Sequence, residues 1–111
     1  MSQIRTEFDE LEKHAAEVAG VLELLANDKR LLILCELVQR GECNVGSLTK
    51  AVGLSQSALS QHLAKMRDEG IVAFRRDAQT LWYRIADDRI ERLLGVLHDL
   101  YCRPLRKRRR G

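Results

Sequence analysis

The sequence predicts a mainly α-helical fold with a β-hairpin wing, about five helices and two strands by pattern. Three observations predict it: a helix with a clear start and stop at 55–70, a change of period straight after it, and positive charge gathered on that stretch. Ser55 offers its hydroxyl to the free amides of a first helical turn. Gly70 tolerates the positive φ that ends a helix. Between them Leu59, Leu63 and Met66 recur at i, i+4 and i+7 and make one apolar stripe for a core. The opposite face carries Gln56, Ser57, Ser60, Gln61 and Ala64. These are short and uncharged, mostly hydrogen-bonding side chains, suited to base edges and phosphates in a major groove.

After Gly70 the period becomes two. Ile71–Phe74 and Thr80–Ile85 read as strands, with Leu81, Tyr83 and Ile85 on one face. Arg75–Gln79 joins them as a polar hairpin tip bearing two arginines. Ahead of Ser55, Val45–Val52 is a short helix with Val45, Leu48 and Val52 inward. Helix, turn, helix and basic hairpin together are the layout of a winged helix-turn-helix; the alternative is a helical domain with an incidental hairpin. On the winged reading the partner is double-stranded operator DNA. Ser55, Gln56, Ser57, Ser60, Gln61 and Lys65 then face the major groove, with Arg75 and Arg76 at the wing. Any one of them could equally touch phosphate or solvent, since half or more of protein–DNA hydrogen bonds carry no base information. Gln79 could equally stabilise the hairpin.

The 111 residues, 45% hydrophobic, suit one domain over 1–102 followed by a basic, disordered tail at 103–111. The opening residues have no apolar run behind them and no stretch is apolar enough to span a bilayer, so a cytoplasmic chain is expected. The formal charge of +3 is unevenly spread: the tail alone holds six cations. Residues 1–26 hold two cations against six acids, and residues 50–84 hold six against three. Positive charge therefore meets the helix-turn-helix and wing, where phosphates would lie. The acidic N-terminal segment should face away from DNA, and the tail could add salt-sensitive affinity.

Thr6 to Ala26 reads as one long helix. Phe8, Leu11, Ala15, Val18, Leu22 and Leu25 fall near a heptad seam. Val21 and Leu24 add apolar surface off the seam, either a subunit interface or a wide core face. Asn27-Asp28 caps a helix from Lys29 to about Arg40, stopped by Gly41. Its period puts Leu31, Cys35 and Val38 on one face, with Cys35 inside the core or at its edge. Gly41–Asn44 reads as a turn. The last helix starts at Asp87 or Asp88, carries Ile90, Leu93, Leu94, Leu97, Leu100 and Tyr101, and stops near Cys102 because Pro104 follows. The wing closes the core, so the first and last helices are left for a homodimer on a palindromic site.

Lys29–Cys35, Gly53–Val72, Arg76–Gln79 and Leu100-Tyr101-Cys102 together resemble the ArsR-type winged-helix repressors. The placement of Cys35 and Cys102 is similar to the BigR/SqrR-like subgroup, which senses sulfane sulfur through two cysteines. That resemblance implies a homodimeric repressor, with Cys35 and Cys102 as redox sensor, that releases its operator when reactive sulfur species bridge the two thiols of a protomer. Cys43 is not part of the subgroup's pair, and the arginine-rich tail is not a feature of the family.

The residues themselves leave the thiol chemistry open. Cys35 could be a small buried hydrophobe. At Cys102 the helix dipole disfavours a thiolate while Arg103 and Arg106 favour it. There is no CxxC and no Cys/His cluster at zinc spacing. Asn44 and Gly46 stand near where metal-sensing relatives of that family carry Cys-x-Cys. Ile90 and Tyr101 stand where such relatives carry imidazoles. His14, His62 and His98 read as solvated or packed histidines, so no metal or cofactor is expected. A direct disulfide needs Cα atoms within about 7 Å; thiols held farther apart would admit inserted sulfur and reject a plain S–S bond. The competing functions are a metal- or general redox-sensing repressor that recruits Cys43, a thiol enzyme handling persulfides, and an architectural DNA binder. No general base or Gly-rich loop accompanies the thiols, so no catalytic role is expected.

Overall fold

The computed structural model describes residues 2–102, with side chains from Phe8 onward. The tail expected at 103–111 lies outside the described residues. The chain divides into two compact units, residues 1–31 and 32–111, with the boundary inside a helix. Described residues form six helices and three strands, where about five and two were expected. No helix among them is long and apolar enough to cross a membrane.

In the first unit, α1 (Ser2–Lys13) and α2 (Ala15–Leu25) replace the single helix expected over 6–26. The break is at His14, whose N–H bonds to Leu11 O at 3.0 Å and which makes no side-chain cap. Residues 11–18 hold neither proline nor glycine, the usual causes of a kink, so the local sequence does not explain it. Burial here does not follow the seam. The seam residues Phe8, Leu11, Val18 and Leu22 are exposed, while off-seam Leu24 is buried beside Leu25. At the foot of α2, Arg30 donates from Nη1 to Leu24 O at 3.0 Å. A cation there suits the negative end of a helix.

The third helix, α3 (Asp28–Arg40), crosses the boundary. Asn27 Oδ1 caps it, accepting from Lys29 N at 3.0 Å and Arg30 N at 3.1 Å. Apolar residues occupy nearly all its sides, so period alone could not choose the core face. Packing chooses Ile33, Leu34 and Leu37, and leaves Leu32, Cys35 and Val38 exposed. Cys35 is thus exposed, where a place inside the core or at its edge was expected.

The second unit is built on α4 (Val45–Val52), α5 (Gln56–Asp68) and α6 (Asp88–Tyr101), with a sheet in the order β1–β3–β2. Asn44 caps α4, accepting from Ser47 N at 2.8 Å, and Gly53 closes it at φ +69. Gly70, at φ +78, closes α5: its N–H bonds to Arg67 O and that of Ile71 to Met66 O, both at 2.9 Å. This double bond is the Schellman arrangement, and an L side chain at position 70 would be strained in it. Leu59, Leu63 and Met66 are at most 1% exposed, as the stripe required. Shortening Leu63 to alanine would cost roughly 2–5 kcal/mol.

The sheet differs from expectation in two ways. Cys43-Asn44 is not a turn but a short strand, β1, pairing with Tyr83 and Trp82. A two-residue strand has too little pattern to be seen in sequence. The hairpin is also longer: β2 (Val72–Asp77) and β3 (Thr80–Ile85) pair as far as Asp77 with Thr80. Only Ala78 and Gln79 remain as the turn, with Ala78 at φ +57. Arg75 and Arg76 therefore stand within a strand, opposite Trp82 and Leu81, rather than at a loop tip. Asp87 caps α6 through Arg89 N at 2.9 Å, and the helix ends at Cys102.

Candidate nucleic-acid interface and thiol site

Two sites lie in the second unit. The first is the outer face of α5 with the wing. Ser55, Gln56, Ser57, Ser60, Gln61 and Lys65 are all exposed along the first half and middle of the helix. Ser55 is also a structural residue, its Oγ accepting from Ala58 N at 3.1 Å. The buried stripe behind them fixes the helix as a rigid support, which a reading surface needs. At the other end of α5, Arg67 lies 5.4 Å from the centre of the Phe74 ring, itself 5.4 Å from the Tyr83 ring. Helix and wing are joined there by cation–π and aromatic contacts.

On the wing Arg75 and Arg76 are both exposed, on opposite faces of β2. Arg75 is engaged. Its Nε and Nη2 donate to the two oxygens of Glu42 at 2.8 and 2.9 Å, and its guanidinium carbon lies 5.8 Å from the Trp82 ring centre. Glu42 was not singled out by sequence reasoning. It lies 33 positions from Arg75, and only the sheet brings them together.

The second site is a groove of about 540 Å³ between α3 and α6. Cys35, Val38 and Gln39 line one wall, and Arg92, Val96 and His98 are on the other. Cys35 opens into it. Partial burial raises the Cys35 pKa above the ordinary thiol value, and the neighbouring Cys102 charge, then Glu36, push it the same way. Cys102, the C-cap of α6, does not line the groove. Both thiols are exposed and free.

Cys43 is separate. It is 2% exposed, paired with Tyr83 in the sheet, and its sulfur is 3.9 Å from Glu36 O. Among the described residues no group of three or more His, Cys, Asp and Glu side chains could hold a metal ion.

Comparison with known proteins places this geometry. A family model described as a bacterial regulatory protein of the arsR family matches residues 27–73. The nodulation protein NolR of Rhizobium meliloti is 54% identical over 92 residues, covering 81% of this chain and 75% of NolR. The reduced form of HlyU from Vibrio cholerae superposes with a TM-score of 0.78 at 44% identity, covering 85% of this chain and 98% of HlyU; that protein is described as a transcriptional activator. The transcriptional repressor BigR of Xylella fastidiosa superposes with a TM-score of 0.80 at 36% identity, covering 86% of this chain and 97% of BigR.

Proposed function

The chain belongs to the arsR family of bacterial regulatory proteins, DNA-binding regulators rather than enzymes, and from that premise we propose a homodimeric repressor switched by sulfane sulfur. Ser55, Gln56, Ser57, Ser60, Gln61 and Lys65 of α5 enter the major groove of a palindromic operator, and the wing sets Arg75 and Arg76 beside the flanking backbone. Association uses the apolar surface left open on the terminal helices: Phe8, Leu11, Val18 and Leu22 in the first unit, and Val96, Leu100 and Tyr101 on α6. Similarity to BigR supports repression as the sense of regulation.

The observation that carries the switch is the Cys35 thiol, exposed on α3 and opening onto the groove against α6, the helix that Cys102 caps. Each thiol takes a sulfur from an organic persulfide and releases the donor's thiol. The two protein persulfides then condense to a trisulfide and expel hydrogen sulfide, so the bridge holds one inserted sulfur. Bridging ties α3 to the end of α6 and changes how the paired α5 helices meet DNA. Couplings of this kind amount to about 1–3 kcal/mol, or roughly 5–150-fold in operator affinity.

The test begins with duplexes selected from a random library by the reduced protein. Wild type should release the selected duplex on persulfide treatment. Cys35→Ser and Cys102→Ser should bind it and fail to let go, and Cys43→Ser should behave as wild type. Release by either of the first two variants would remove the pair from the switch. Transcription that rises when the reduced protein occupies a promoter would overturn repression. General redox sensing through a plain disulfide uses the same thiols, and intact mass separates it: loss of two hydrogens with no added sulfur.

A further inference from the structure

Glu42, the partner of one of the two wing arginines, has no part in the reading above. Glu42 lies in the connection from α3 to β1, and its carboxylate grips the Arg75 guanidinium through two bonds at 2.8 and 2.9 Å. This is the forked geometry with which a guanidinium would otherwise take a phosphate. The Trp82 ring, opposite Arg75 in the ladder, lies 5.8 Å from the guanidinium carbon, so the side chain is held from two directions. The hydrogen bond from Arg75, reinforced by the charges of Arg75 and Arg84, holds the Glu42 carboxyl below its ordinary value, and Glu42 is ionised at neutral pH. Asp77 adds a second negative charge beside Arg75. Around Arg75 the wing is therefore close to electrically neutral, although the sequence shows it as basic.

We propose that Glu42 is an internal counter-anion that withholds Arg75 from DNA phosphates and thereby limits the affinity of the wing for DNA, a role that rests on the wing lying against DNA. A phosphate arriving at Arg75 must displace the carboxylate or sit against its charge, and either way the contact adds little. Arg76, on the other face of β2, is not held by Glu42 and remains for the backbone. Glu42 is a positioning residue: it acts on DNA binding through Arg75.

The number of phosphates neutralised is read from the salt dependence of binding, about 0.9 in logarithmic slope per contact. Binding is measured by anisotropy on the duplex selected by the wild-type protein, or on mixed-sequence duplex if none is enriched. Glu42→Gln keeps the shape and one acceptor oxygen but removes the charge. It should steepen the slope by about one and raise affinity on the order of fivefold near 0.15 M salt. In the E42Q background Arg75→Gln should restore the wild-type slope. An unchanged slope in E42Q overturns the proposal. So does a slope about one flatter than wild type in the double variant, which would mean that Arg75 already neutralises a phosphate. The double variant keeps the wild-type net charge, so its slope decides the matter even if E42Q alone disturbs the wing. Failure of the wild-type protein to bind either duplex would instead remove the DNA-binding reading on which this rests.

Discussion

Cys35 and Cys43 are near neighbours in sequence, and burial raises the pKa of both. Their surroundings are otherwise opposite. Cys43, in β1, is buried, its sulfur 3.9 Å from a backbone carbonyl, with Arg40 opposing part of the upward shift. Cys35 stands one helical step from Glu36, open to the groove, and its second-largest perturbation is another cysteine. The difference teaches that thiol identity and spacing do not decide accessibility here. For Cys35 it is decided by which side of α3 the core claims, and for Cys43 by its place in β1.

That contrast can be tested by chemistry, then by function, then by stability. The largest effect should be in alkylation. Cys43 can react only when the fold opens, so its rate should be at least about 100-fold below those of Cys35 and Cys102, by mass mapping of a timed iodoacetamide reaction. Comparable rates would show that β1 does not seal the core. Next is coupling: the roughly 5–150-fold loss of operator affinity on persulfide treatment should vanish in Cys35→Ser and survive in Cys43→Ser. Stability should sort the same residues in the reverse order. Cys43→Ser puts a hydroxyl in an apolar site and should cost about 1–3 kcal/mol in urea unfolding. Cys35→Ser, on the surface, should stay within about 0.5 kcal/mol.

The smallest effect is in pH dependence. Each raised thiol holds its proton in the folded state after the unfolded chain has lost it. The folded state therefore binds more protons, and stability falls as pH rises through the ordinary thiol range. Cys43→Ala should make unfolding less sensitive to alkaline pH, as seen by comparing urea midpoints. An unchanged slope would mean that Cys43 does not contribute. Cys35 alkylation should likewise keep accelerating with pH beyond the point where a free thiol levels off.

Much of the fold was legible because local signals agreed. Ser55, Gly70 and the Leu59–Leu63–Met66 stripe each marked α5 independently, and all three hold in three dimensions. The failures lie where a local pattern had two solutions. On α3 the apolar residues surround the helix, and only packing could select Ile33, Leu34 and Leu37 over Cys35 and Val38. Along the heptad seam of residues 8–25 the period did not tell which residues are covered: Phe8, Leu11, Val18 and Leu22 are exposed and Leu25 is buried beside off-seam Leu24. In the wing, strand length depended on pairing across the hairpin, which extended β2 through both arginines. Glu42 could not have been found locally, since its meaning comes from a strand far along the chain.

The most direct test of the central claim is to treat reduced wild-type protein with an organic persulfide, digest it without reductant and identify the crosslinked peptides by mass. The account predicts a product joining the Cys35 and Cys102 peptides of one protomer, with at least one added sulfur, in proportion to the operator released. A link to Cys43, a link between protomers, or a plain disulfide at full release would contradict it.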